Sequence, residues 1–164
     1  MSIFLFENLP VSRETMDYLE HYEVLVKKWS KSINLISSAT LSSIWNRHIL
    51  DSAQLYLNLT KKSTVWLDLG SGAGFPGLVI SILAKQQHPA LHVYLVESDK
   101  RKSVFLRTVI RELSLDATVI NHRIESADVL VADVVSARAL TNLMRLLTYA
   151  YPHMKEGSTC LFQK

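Results

Sequence analysis

The spacing of apolar and polar positions divides the chain into a helical front and a strand–helix body. Over residues 10–36, Met16, Leu19, Val26, Trp29 and Ile33 recur at helical spacing. Ser12 can cap this stretch, and Glu14, Asp17 and Glu20 precede Lys27, Lys28 and Lys31, the order that the helix dipole favours. A polar break at 37–40 leads into a second helical pattern over 41–59, with Ile44, Trp45, Ile49 and Leu55 as its buried stripe. The period then shortens. Val65 to Leu69 is an apolar run suited to a buried strand, and 92–97 alternates as a second strand ending in Glu97. Residues 78–84 continue as a helix opened by Pro76, and Lys100 to Leu113 forms another, with Val104, Phe105, Val109 and Leu113 inward. Short strands are predicted at 117–120, 128–135 and 158–162, with a helix over 140–151 and a turn over 152–157. Alternating strands and helices predict an open, mostly parallel α/β sheet carrying an N-terminal helical extension. A single domain is expected, with helices over 1–60 packed on a cofactor-binding core over 61–164.

Between the first strand and its helix lies D-L-G-S-G-A-G-F-P-G, residues 68–77, holding four of the five glycines in the chain. Strand, glycine turn and helix form the opening unit of nucleotide-binding α/β sheets, because side chains there would hold the backbone away from a ligand. Gly72, Gly74 and Gly77 spell the dinucleotide fingerprint, yet two neighbours argue against a pyrophosphate. Asp68 places negative charge beside the turn, and Pro76 removes an N–H from the helix entry. A cationic ligand without phosphate suits this turn better, and S-adenosylmethionine, with its sulfonium and ammonium groups, is the leading candidate. The alternative is that Asp68 caps the turn's own N–H groups. Glu97 at the tip of the second strand is placed to accept ribose hydroxyls in either type of cofactor fold.

Composition narrows the class. With 164 residues, 48% hydrophobic and 20% charged, the chain reads as one soluble domain. The first residues lack a basic region and their apolar run stops at Glu7, so neither a signal peptide nor a membrane span is expected, and the expected compartment is the cytoplasm. The lone Cys160 rules out an internal disulfide and a cysteine zinc cluster. The net charge of +3 decides little, but Lys100, Arg101 and Lys102, followed by Arg107 and Arg111, make a basic helix beside the cofactor site. Such a helix suits phosphates, or it is simply a solvated face.

Two more groups carry candidate chemistry. In W-N-R-H-I-L-D-S, residues 45–52, His48 and Asp51 are three apart with Arg47 adjacent. They contact substrate, or form a structural Arg–Asp or His–Asp pair; one His and one Asp are too few for a metal, and none is expected. In S-A-R-A, residues 136–139, Arg138 opens a helix at the carboxyl edge of the sheet, where ligands bind in such folds. A methyl transferase acting on exocyclic amines usually shows an (Asp/Asn)-Pro-Pro-aromatic turn here, and one acting on cytosine carbon needs a cysteine nucleophile. The turn has no proline, and Cys160 lies inside a predicted strand. Guanine N7 needs neither device, and small-molecule acceptors stay open at this level.

The segments W-S-K-S-I-N-L-I (29–36), R-H-I-L-D-S (47–52), D-L-G-S-G-A-G-F-P-G (68–77), L-V-E-S (95–98), R-I-E (123–125) and S-A-R-A (136–139) give the chain a recognisable pattern. It resembles the RsmG (GidB) family of bacterial small-subunit rRNA methyltransferases. The resemblance implies a class I S-adenosylmethionine-dependent methyltransferase fold that methylates N7 of a guanine in the 530 loop of 16S rRNA, with the small ribosomal subunit as partner. By position it implies cofactor contacts at Gly70 and Phe75, adenine flanked by Ile124 and Glu125, and Arg138 at the cofactor and target site as the candidate catalytic residue. With it, Asp68, Gly72, Gly74 and Glu97 complete the expected cofactor set. Lys100, Arg101, Lys102 and Arg107, with Arg47 and His48, are expected to meet RNA. The protein is expected to act as a monomer. Family members continue past the fifth strand, and this sequence stops at Lys164 where that continuation would begin, so the last strands of the usual fold are expected to be missing. Rival readings are a small-molecule methyltransferase of the same fold, a non-catalytic cofactor- or RNA-binding module, and an NAD-dependent dehydrogenase.

Overall fold

The computed structural model describes residues 3–6 and 9–163. The chain opens with a hairpin that the sequence pattern did not predict. Ile3–Phe6 (β1) pairs antiparallel with Leu9–Val11 (β2), and Leu9 and Val11 are buried. Arg13–Trp29 (α1) follows, with the Ser12 side chain accepting from the Thr15 N–H at 3.0 Å as the expected cap. The helix is shorter than its predicted span. It stops at Trp29, and the chain turns so that Leu35 folds back into the core.

The stretch 41–59 is not one helix. It runs through a 3-10 turn at Ser38–Ser43, a widened π-turn at Trp45–Leu50, one turn of α-helix at Asp51–Ala53 (α2) and a 3-10 turn at Gln54–Asn58. Ile44 and Ile49 are fully buried as the periodicity predicts. The departure from an i→i+4 ladder makes backbone carbonyls available to side chains elsewhere, and π-turns often mark functional positions for this reason.

Five parallel strands form the sheet: Val65–Leu69 (β3), His92–Val96 (β4), Ala117–Ile120 (β5), Ala132–Arg138 (β6) and Met154–Gln163 (β7), in the order β5-β4-β3-β6-β7. Gly77–Gln87 (α3), Lys100–Leu113 (α4) and Leu143–Ala150 (α5) connect them. From central β3 the chain moves first to β4 on one side and later to β6 on the other. The carboxyl end of β3 is therefore the switch point at which a crevice opens.

Alternate residues of β3 face opposite layers. Trp66 joins the large core with α1, α3 and α4, whereas Leu67 and Leu69 join the smaller one beneath α5. Both faces are covered, as a parallel sheet requires. α3 is buried from Gly77 through Ala84, which explains its apolar run without amphipathic pattern. β6 begins later and ends later than the predicted 128–135. Asp133, which interrupts the apolar run, is held inside the strand by its Oδ2, which accepts from the Thr64 and Val65 N–H groups, and by Lys155 against Oδ1. β7 likewise absorbs most of the predicted turn, with Gly157 at φ 85° and the Ser158 hydroxyl bonded to Lys155 N–H and Ala132 carbonyl. It is the outermost strand among the described residues.

Gly77 shows why the turn needs a glycine at the helix entry. A Cβ there would strike Leu95 and sit 2.9 Å from Asp68 Oδ2 and 3.0 Å from Asp68 Cβ. The Asp68 Cβ is fixed to the central strand and cannot yield. Gly77→Ala is expected to destabilise the fold by about 1–3 kcal/mol, the usual cost of overpacking, read as a lower urea midpoint with unchanged slope.

Candidate cofactor and acceptor site

Two adjoining cavities open at the carboxyl end of β3. The first, about 540 Å³, has Gly70 and Gly72 as its floor, Val96 to Ser98 and Lys102 on one wall, and Ile124, Glu125, Arg138, Leu140 and Tyr149 on the others. The second, about 310 Å³, lies toward the N-terminal helices and is lined by Leu35, Ile36, His48, Gly70 to Ala73, Phe75, Lys102 and Arg138. Gly70, Gly72, Lys102 and Arg138 belong to both.

Glu97 organises the first cavity. Its Oε2 accepts from Gly72 N–H and its Oε1 from Asp99 N–H, both at 2.8 Å, tying the glycine turn to the entry of α4. Asp99 in turn caps α4 by accepting from Arg101 and Lys102 N–H. Each Glu97 oxygen keeps a lone pair for a further donor. Gly72 has φ 56°, and a Cβ there would meet only Gly70 O, at 3.9 Å, so the turn presents bare backbone to the cavity. Ile124 and Glu125 lie in a 3-10 turn after β5, where Tyr149 OH donates to Glu125 Oε1 at 2.7 Å and lowers that carboxyl's pKa.

Arg138 leaves the end of β6 and crosses to the N-terminal segment. Its Nη2 donates to the Arg47 carbonyl at 2.6 Å and lies 3.5 Å from Asp51 Oδ2, while Nη1 is buried with no partner. The expected Arg–Asp pair therefore forms with Arg138, ninety-one positions from Arg47, and neither Arg47 nor His48 is bonded to Asp51. Gln163 reinforces the junction by donating to the Asp51 carbonyl at 2.8 Å. His48 stacks on Phe75 with ring centroids 5.0 Å apart, and its Nε2 is buried without a partner. Burial first, then the Arg138 charge, lowers its pKa to about 4, so the imidazole is neutral at pH 7.

Two members of the expected cofactor set line neither cavity. Asp68 is wholly buried behind the turn, where Ser136 OH donates to its Oδ1 at 2.6 Å and Oδ2 has no partner. Its side chain points into the α3 layer, because alternation along β3 places it on the Trp66 face. It does not cap the turn's N–H groups either; Glu97 takes the Gly72 N–H. Gly74 packs under Leu78 and the Tyr22 hydroxyl, which donates to the Ala73 carbonyl. Of the basic helix, Lys102 reaches the cavities, and Lys100, Arg101 and Arg107 are exposed on the outer side. Tyr149, Ser136 and Leu140 carried no signal in the sequence: a tyrosine late in a helix, a strand serine and a loop leucine are all ordinary. Among the described residues no group of His, Cys, Asp and Glu could hold a metal ion. No helix among them is long and apolar enough to cross a membrane.

Burial pushes the Asp68 carboxyl up to about 6 from 3.8, with Ser136 pulling the other way. The folded chain therefore holds a proton that the unfolded chain has released between pH 4 and 6, and stability falls as pH rises through that window. By the conversion of pKa to free energy the loss is about 3 kcal/mol once above pH 6. Asp68→Asn is expected to remove this decline, which urea unfolding at pH 4.5 and 7.5 measures as the difference between variant and wild type.

Sheet order, glycine turn and an acid at the tip of the neighbouring strand together define the class I methyltransferase fold. Solved structures agree: the chain superposes on coclaurine N-methyltransferase bound to N-methylheliamine and S-adenosylhomocysteine with a TM-score of 0.61 and 14% identity, covering 94% of this chain and 53% of that one. The precorrin-6y C5,15-methyltransferase of Geobacter metallireducens gives 0.58 and 14%, covering 78% and 63%. The profile of the GidB family, rRNA small subunit methyltransferase G, matches residues 15–164, and the chain belongs to this family of S-adenosylmethionine-dependent rRNA methyltransferases. The ribosomal RNA small subunit methyltransferase G of Cereibacter sphaeroides is 53% identical over 156 residues, 95% of this chain and 76% of that protein. Its counterpart in Rhodospirillum centenum is 49% identical over 154 residues, covering 94% and 69%.

Proposed function

We propose that this protein methylates N7 of a guanine in the 530 loop of 16S rRNA, with S-adenosylmethionine in the first cavity. The observation that carries the RNA reading is the continuity of positive charge. Lys102, Arg123, Arg138 and Arg145 line the first cavity, and Lys100, Arg101 and Arg107 extend the same sign outward along α4. A small neutral acceptor would suit a closed apolar pocket instead. Phosphates of a folded RNA suit this rim, and steering of this kind weakens with salt.

The residues present fit the cofactor. Glu97 offers two acceptor oxygens to ribose hydroxyls, Ile124 an apolar wall to adenine, and Gly70 and Gly72 an uncluttered backbone. The buried, unpartnered Arg138 Nη1 awaits an acceptor at the boundary between the cavities. When bound, the cofactor supplies a sulfonium-activated methyl group whose transfer to the N7 lone pair leaves a neutral sulfide and a cationic guanine. No proton leaves N7, so the chain needs no general base there, and the site holds none: His48 is stacked on Phe75 and Asp68 is sealed behind the turn. Positioning is what the residues contribute, through Arg138 fixed at the Arg47–Asp51 turn and Gly72 fixed by Glu97.

Titration calorimetry with S-adenosylhomocysteine and, separately, NAD tests the cofactor. The transfer product is expected to bind and NAD not, and Gly72→Val, which meets nothing in the fold but enters the cavity, is expected to abolish binding. Methyl transfer from labelled cofactor to small ribosomal subunits, with the product located by mass spectrometry, tests the acceptor. Label at any atom other than guanine N7 in the 530 loop overturns the assignment.

A further inference from the structure

The second cavity lies outside the cofactor reading, and its chemistry is specific. It is walled by apolar Leu35 and Ile36 and floored by the His48–Phe75 stack, with Arg138 and Lys102 at the edge shared with the first cavity. Its volume of about 310 Å³ suits one planar base and not a folded strand. Two polar side-chain atoms on its lining residues are buried and unpartnered, His48 Nε2 and Arg138 Nη1. Burying a polar atom without a partner costs free energy that a matching ligand atom recovers.

Resting on the guanine-N7 reading above, we propose that this cavity receives the target base, swung out of its stack, and that Arg138 Nη1 and His48 Nε2 read guanine through O6 and N1–H. Along one side of guanine the order of groups is N1–H, O6, N7. Along the protein it is His48, which lines the second cavity alone, then Arg138, which lines both, then the first cavity. With O6 accepting from Arg138 and N1–H donating to His48, N7 is carried toward the cofactor side. The same contacts reject adenine, whose 6-amino group would face a guanidinium that can only donate. A neutral imidazole can accept from N1–H where an imidazolium cannot, and His48 is held neutral by burial and by Arg138, with Asp51 opposing and Arg47 assisting. Lys102 at the cavity mouth is placed for the phosphate of the extruded nucleotide.

The test uses small ribosomal subunits reconstituted with 16S rRNA carrying either guanine or 2-aminopurine at the target position. 2-Aminopurine keeps N7 but lacks O6 and N1–H. Wild-type protein is expected to favour guanine by at least about 100-fold in kcat/KM, on the scale of unpaired buried donors. His48→Ala is expected to cut that preference at least about tenfold, and His48→Gln, whose amide oxygen can accept N1–H, to hold it within about threefold, with S-adenosylhomocysteine affinity unchanged in both. Equal transfer to the two bases by wild type, or an unchanged preference in His48→Ala, overturns the base-reading assignment. The wild-type comparison stands whether or not either variant folds. No transfer to guanine by wild type overturns the underlying activity instead, so the two failures are distinguishable.

Discussion

Arg138→Met is expected to lower methyl transfer to small ribosomal subunits by at least about 100-fold while leaving the fold intact, the cost of losing alignment at a reacting centre. The separation of the two effects follows from the bonds the guanidinium makes. Nη2 donates to the Arg47 carbonyl, a charge-assisted bond worth about 1.5–3 kcal/mol, and buried Nη1 has no partner, a cost of about 1–3 kcal/mol. These offset, so the unfolding free energy should change by no more than about 1 kcal/mol. The ion pair with Asp51 adds little, because Asp51 is 44% exposed at 3.5 Å. Asp51→Asn should therefore reproduce only part of the catalytic loss, through a less firmly held guanidinium. Single-turnover transfer and urea unfolding on the same preparations check both halves. Transfer by Arg138→Met within tenfold of wild type would remove Arg138 from the reacting centre.

Glu97→Ala is expected to weaken S-adenosylhomocysteine binding by about 100-fold, from loss of the proposed ribose acceptor and release of the turn. The carboxylate is 8% exposed and holds Gly72 N–H and Asp99 N–H at once, so its removal frees both the cavity floor and the entry of α4. Glu97→Gln discriminates between size and charge. An amide has one acceptor oxygen where two N–H donors converge, so its NH2 group must face one of them. Gln is therefore expected to lie closer to Ala than to wild type in calorimetric affinity. A Kd within about threefold of wild type for Glu97→Ala would place the ribose elsewhere, since a lost charge-assisted bond costs more than that.

These two residues also mark where the sequence could be read and where it could not. Glu97 was legible because everything that places it is local: an alternating strand, a carboxylate at its tip and a capped helix immediately after. The strand at 65–69 and the helix at 100–113 came out at their observed bounds for the same reason, since an apolar run or an amphipathic period spans each. The sheet class followed from the alternation of such units, and the glycine turn from residues that only a close ligand approach or a crowded helix entry would require. Segmentation of 41–59, by contrast, is decided by contacts its own periodicity does not contain: Arg138 on the Arg47 carbonyl and Gln163 on the Asp51 carbonyl, 91 and 112 positions away.

The same limit governs the buried acid. The sequence placed Asp68 beside the glycine turn, which is correct along the chain, but strand alternation against α3 turns its side chain inward onto Ser136, away from both cavities. It likewise supplied Arg47, His48, Asp51 and Arg138 as reactive groups without their pairing. Local pattern thus determined the family, the sheet class and the cofactor edge, because turns, caps and periods act over a few residues. Only the tertiary structure decided which side chains meet across the crevice, because parallel strands bring together residues that no local spacing relates.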